Sequence, residues 1–141
     1  MSSHSAPSLL QHAWLLHRRP YSETSLLIEA FTAATGRSAL IAKGARAGRK
    51  GHAAILQPFQ PLLISWTQRG EVGTLTAVEP REPRGTLNGT AIFSGFYLNE
   101  LLMRLLARND PHPELFERYE TTLQLLGNGA VAEWPLRVHR D

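Results

Sequence analysis

Short apolar runs broken by turn residues fill the first half of the chain. HAWLLHRR (12–19), TSLLIEAFT (24–32), GRSALIAKG (36–44), PLLISWTQ (61–68) and VGTLTAVE (72–79) are rich in Leu, Ile, Val, Thr, Phe and Trp. Between them stand Arg19-Pro20-Tyr21-Ser22, Ala34-Thr35-Gly36, a glycine-rich loop and Arg69-Gly70-Glu71. A period of two is visible in places. Leu26, Ile28 and Ala30 fall on one face of the second run, and Arg37, Ala39, Ile41 and Lys43 on one face of the third. That period, with turns arriving so often, predicts five strands rather than helices. Five short strands bury a core only by closing on themselves or by being covered. The expected fold is mainly β with C-terminal α: a five-stranded OB-fold barrel over residues 11–80, then the start of a helical domain.

The segment EPREPRG (79–85) marks the change, with a linker expected over residues 81–87. Beyond it the apolar period lengthens to 3.6. Ile92, Phe96, Asn99, Met103 and Leu106 form a stripe that Phe93, Leu98, Leu101, Leu102 and Leu105 widen. This predicts a helix with a polar cap near residues 88–90, ending before Asp110-Pro111 and buried on more than one side. Gly95 inside it costs about 1 kcal/mol against Ala, which a close backbone approach to the barrel would explain. A second helix runs from about Pro113 to Leu126, with Leu115, Tyr119, Leu123 and Leu126 as its stripe and Gly127 as a stop. Residues 88–127 thus form a helical region, residues 1–10 a disordered tail and residues 128–141 an irregular one. Helices this apolar normally need further partners, so the chain is expected to associate or to be marginally stable.

Composition narrows the class. Apolar residues make up 43% of 141, enough for a core. There is no cysteine, which excludes disulfides, thiolate zinc sites and cysteine nucleophiles. MSSHSAPS has no signal-peptide pattern, and no apolar run approaches the roughly 18 residues of a membrane span. A cytoplasmic protein with no membrane partner is the expectation. The net charge of +3 is unevenly spread: residues 1–85 carry +5 and residues 86–141 carry −2. The front half is where a polyanion would be held.

The glycine-rich loop AKGARAGRKGH (42–52) concentrates that charge in Lys43, Arg46, Arg49 and Lys50, among Gly44, Gly48 and Gly51. It fails as a P-loop, because the residue five after Gly44 is Arg49 and no Gly-Lys-Ser/Thr follows. It fails the dinucleotide pattern too, since its glycines are spaced four and three apart. No two histidines stand in H-x-x-x-H, Ser94 in FSGF is not G-x-S-x-G, and Glu100 with Arg104 reads as a helix-surface ion pair. No enzyme, metal site or cofactor is expected. Distributed cations on a flexible backbone suit phosphates. Arg18, Arg19, Arg37, Arg69, Arg81 and Arg84 could add to them. Of the aromatic residues Trp14, Tyr21, Phe31, Phe59 and Trp66, Tyr21 is the best candidate for base stacking because it lies in a turn. The pattern leaves DNA and RNA undivided. It also fits an acidic peptide tail, or a solvated loop.

With these segments placed, the chain resembles the RecO family of bacterial recombination mediators and DNA-repair proteins. The resemblance rests on SETSLLIEAFT (22–32), GRSALIAKGAR (36–46), LQPFQPLLISWTQRGEV (56–72), GFYLNELLMRLL (95–106) and PHPELFERYETTLQLL (111–126), in order and nearly continuous from Trp14 to Leu126. It implies a non-enzymatic protein, associated with the nucleoid. Such a protein binds single- and double-stranded DNA, anneals complementary strands and helps load recombinase onto coated single strands. The implied partners are RecR and the acidic tail of the single-stranded DNA-binding protein. The implied DNA-binding residues are Arg37, Lys43, Arg46, Arg49 and Lys50, then Arg18 and Arg69. The family continues as a helical domain, in some members with a four-cysteine zinc module. This chain is expected to lack part of that domain, and its residues after Gly127 to depart from the family.

Overall fold

Alternation along the strands divides the apolar residues between two cores. The computed structural model describes residues 9–47, 52–82 and 87–128. Its strands are β1 (Gln11–Pro20), β2 (Leu26–Thr32), β3 (Gly36–Ala42), β4 (Leu62–Gln68) and β5 (Val72–Pro80). They close into a barrel in the order β1-β2-β3-β5-β4, and β3 and β5 run parallel. The five-stranded OB-like barrel followed by helices is therefore the fold. A short helix α1 (His52–Ile55) lies between β3 and β4. After the barrel come α2 (Thr90–Leu105) and α3 (Pro113–Gly127). Both expected tails, apart from residues 9, 10 and 128, lie outside the described residues.

The inner core holds Ala13, Leu15, Leu26, Ile28, Ala30, Leu40, Ala42, Leu62 and Ile64, with Leu56 beside α1. These are alternate positions, as a two-residue period requires. The intervening positions supply a second core outside the barrel. Trp14, Leu16 and Phe31 meet Phe59 and the helix residues Leu102, Leu106, Phe116, Tyr119 and Leu123. Phe31 sits edge-on to both Phe116 and Tyr119, a favoured aromatic geometry. Apolar residues on both faces of β2 leave Leu27, at 9%, as its most exposed residue.

Two polar joints lock the helices to the barrel. In the first, Glu29, buried on β2, accepts from Arg37 at 2.9 Å and from Arg108 at 2.6 Å. Arg37 Nε also donates to the Leu106 carbonyl, and the Asn109 amide donates to the Arg37 carbonyl. In the second, Arg81 lies over the Trp14 ring and pairs with Glu120 at 3.0 Å. Trp14 Nε1 donates to the same carboxylate, and Arg81 Nη1 reaches His12 Nδ1 at 2.9 Å.

The helices differ in detail from the expected stripes. α2 buries a single face, Ala91, Gly95, Asn99 and Leu102, rather than several. Phe93, Phe96, Tyr97 and Leu105 are exposed. Its start is Gly89 at φ 57, with no side chain capping the helix. The close approach expected at Gly95 is present: a Cβ there would lie 2.6 Å from the Phe59 ring. On α3, Phe116 takes the buried place expected of Leu115, and Tyr119, Leu123 and Leu126 are buried as the period requires.

Candidate nucleic-acid interface

The pairing register gathers part of the basic set at one end of the barrel. β1 and β2 are joined by a tight turn at residues 21–25. In it the Tyr21 amide donates to the Ser25 carbonyl and the Ser25 amide to Ser22 Oγ. The segment leaving β3 folds against this turn. Gly44, at φ 73, makes the bend that a residue with a Cβ disfavours, and a 3-10 turn follows at Ala45–Ala47. The Arg46 amide donates to the Thr24 carbonyl at 2.8 Å, and its guanidinium reaches the Ser22 carbonyl. Ala45 is buried in the inner core and anchors the segment. Lys43, Arg46, Arg19 and Tyr21 are all exposed here, beside Glu23. Arg49 and Lys50, the other two loop cations, lie outside the described residues.

Arg18 and Arg37 are committed elsewhere. Arg18 points into the barrel end, where Nη1 donates to the Ala53 and Leu56 carbonyls, both at 2.8 Å. A cation on the last carbonyls of a short helix stabilises its end. Arg37 holds Glu29 and the Leu106 carbonyl, with its side chain 13% exposed. It stands at the start of β3, opposite the end from which Lys43 leaves. Arg69 is exposed in the β4–β5 turn, but Val72 pairs with Ala39, four residues before Lys43. At about 3.3 Å per residue that is some 13 Å along the strand. OB-fold barrels commonly offer oligonucleotides the face of strands 2 and 3. Here the joint at Glu29 and helix α3 cover β2 at Glu29 and Phe31, and the exposed cations of the described barrel residues lie on its loops and at the end of β1.

Sequence reasoning favoured Arg18 over Arg19, and the structure reverses their orientation. The register shifts between Leu15 and His17, a bulge that inserts one extra residue into β1. The bulge turns Arg18 inward and leaves His17 and Arg19 outward. Alternation counted from Ala13 and Leu15 gives the opposite answer, and no residue type at this site announces the bulge. Of the aromatic candidates, Trp14, Phe31 and Phe59 are buried, Trp66 packs on the inner core, and Tyr21 is 58% exposed. The exposed aromatics Phe93, Phe96 and Tyr97 were hidden among the helix's apolar positions. Among the described residues no cluster of His, Asp and Glu could hold a metal ion, and no helix is long and apolar enough to cross a membrane.

A closed five-stranded barrel with a cationic loop end and two docked helices belongs to the OB-like class. Comparison with known proteins narrows the class. The family model described as Recombination protein O N terminal matches residues 8–84, and that described as Recombination protein O C terminal matches residues 87–139. The chain belongs to the recombination protein O family. A DNA repair protein RecO from Methylococcus capsulatus is 57% identical over 129 residues, covering 92% of this chain and 53% of that protein. The RecO of Alkalilimnicola ehrlichii is 52% identical over 123 residues, covering 87% and 49%. That of Haemophilus influenzae is 47% identical over 131 residues, covering 93% and 56%. The chain spans about half the length of the curated relatives it matches. The match through residue 139 overturns the expectation that the family pattern ends near Gly127.

Proposed function

We propose that the chain acts in DNA repair and recombination by holding DNA through its phosphates at the loop end of the barrel. Membership of a family whose relatives are named DNA repair proteins supports the process. One structural observation supports the site: Lys43 and Arg46 are exposed, and the turn at residues 21–25 braces their segment. In this reading Arg19, Arg49 and Lys50 extend the clamp and Tyr21 stacks on a base. Arg69 marks a more distant contact. Arg18 and Arg37 shape the barrel instead of touching DNA. Phosphate contacts carry no sequence information, so both single and double strands are bound. Two complementary strands neutralised on one surface repel each other less, which favours annealing. Loading of recombinase, and association with RecR and with the acidic tail of the single-stranded DNA-binding protein, extend the proposal to the whole family protein.

Fluorescence-anisotropy titration of labelled DNA over a range of salt tests it. With about four cations engaged, log K falls against log[salt] with a slope of about −3.6 on duplex and about −2.8 on a single strand. Ala at Lys43, Arg46, Arg49 and Lys50 together flattens the slope by two units or more. Retained affinity with a slope near zero would sink the mechanism.

A further inference from the structure

Arg18 holds two carbonyls of one short helix with a single nitrogen. Nη1 donates to the Ala53 and Leu56 oxygens, each at 2.8 Å. These belong to the one turn of α1 and to the residue just after it. The Leu56 amide closes that turn on the His52 carbonyl. A helix so short does not persist in water by itself. The bonds from Arg18, and the full burial of Leu56 in the inner core, keep it on the barrel end.

The helix is in turn the neighbour of the basic segment. α1 packs against the 3-10 turn at Ala45–Ala47, and Ala53 packs on the same inner core that buries Ala45 and Leu56. Arg46 belongs to that 3-10 turn, and Lys43 stands just before its bend at Gly44. The bulge in β1 aims Arg18 at α1 while Arg19 stays outside. We infer that Arg18 is a positioning residue for the phosphate contacts of Lys43 and Arg46. It touches no phosphate. By holding α1 it holds the 3-10 turn, and so keeps both cations in place before DNA arrives. A cation already in place loses less freedom on binding than one on a loose segment. The inference rests on the phosphate reading above, and adds a residue that governs affinity without being one of the contacts.

Two quantities separate positioning from contact. The salt slope counts the phosphates neutralised, whereas affinity at one salt concentration also depends on how well the cations are held. Arg18→Met keeps a long unbranched stem and removes the donors. Arg18→Lys keeps a cation with donors, one bond short of Nη1. The full chain and both variants are titrated with a labelled single strand over a range of salt, and amide hydrogen exchange is followed without DNA. Arg18→Met should bind about tenfold more weakly at fixed salt, with the slope of the native chain, and Arg18→Lys should recover part of the loss. In Arg18→Met the Leu56 and Arg46 amides should exchange faster, and those of β2 as before. Native affinity in Arg18→Met overturns the inference and leaves the phosphate reading standing. A slope flattened by about 0.7 or more makes Arg18 itself a phosphate contact and also overturns it. So does faster exchange at Leu56 alone, which uncouples α1 from the basic segment. If Arg18→Met does not unfold cooperatively, Arg18→Lys decides. Weaker binding at the native slope with faster Arg46 exchange supports the inference, and native affinity overturns it. If the native chain binds no DNA, or binds with a slope near zero, the phosphate reading has failed and the inference falls with it.

Discussion

Gly95 and Tyr119 show how single residues set the helix-barrel contact. Gly95→Ala gains about 1 kcal/mol of helix propensity. The added methyl then meets the buried Phe59 ring, which is itself held edge-on by Phe96. Overpacking of that kind costs about 1–3 kcal/mol. Urea unfolding of the variant should therefore show no gain and a net loss of up to about 2 kcal/mol, against the gain that propensity alone gives. Tyr119 is buried, and desolvation raises its phenol well above the usual range, although the bond to Asn99 opposes the shift. The folded state keeps this proton where the unfolded chain, with a phenol near pH 10, gives it up. The contribution is complete below about pH 10 and declines as pH rises through and beyond that value. Tyr119→Phe should lose about 1 kcal/mol at neutral pH and lack this part of the alkaline decline. Thermal unfolding at stepped pH checks both. Gly95 was legible in the sequence, because a helix interior seldom keeps glycine without a reason. Asn99 as the phenol's partner was not, since only packing identifies it.

Among the elements, the period of two found all five strands, and the period of 3.6 found both long helices. What the pattern could not tell was which faces would be covered. Arg37 was expected among the DNA-binding cations, and nothing in the pattern assigned Glu29 a role. Together they are the joint that receives the α2–α3 connection. Removing one partner of a buried pair leaves the other uncompensated, which is typically worth about 3–5 kcal/mol. Arg108 shares the carboxylate and softens that loss. Arg37→Leu should cost about 2–3 kcal/mol in chemical denaturation and leave the slope of DNA binding against salt unchanged. A flattened slope instead would return Arg37 to the phosphate contacts. The bulge in β1 escaped for a related reason: it is a property of paired backbones and not of any one side chain.

The molecule as a whole is two pieces of sheet brought together. β2 pairs along its length with β3 and with most of β1, and β4 pairs along its length with β5. The joins between the pieces are short. β1 meets β4 only over residues 11–13 and 62–64, and β3 meets β5 only over residues 39–41 and 72–74. The basic segment is part of the connection between the two pieces. Barrel closure thus acts as a hinge line of low protection in an otherwise firm wall. In native-state hydrogen exchange, amides of residues 11–13 and 72–74 should exchange ahead of those in β2, by openings far smaller than global unfolding. An opening of this kind loosens the joins without breaking the pairing inside either piece. The two pieces share one inner core, so the short joins fray at their ends while the packing across them holds the barrel shut.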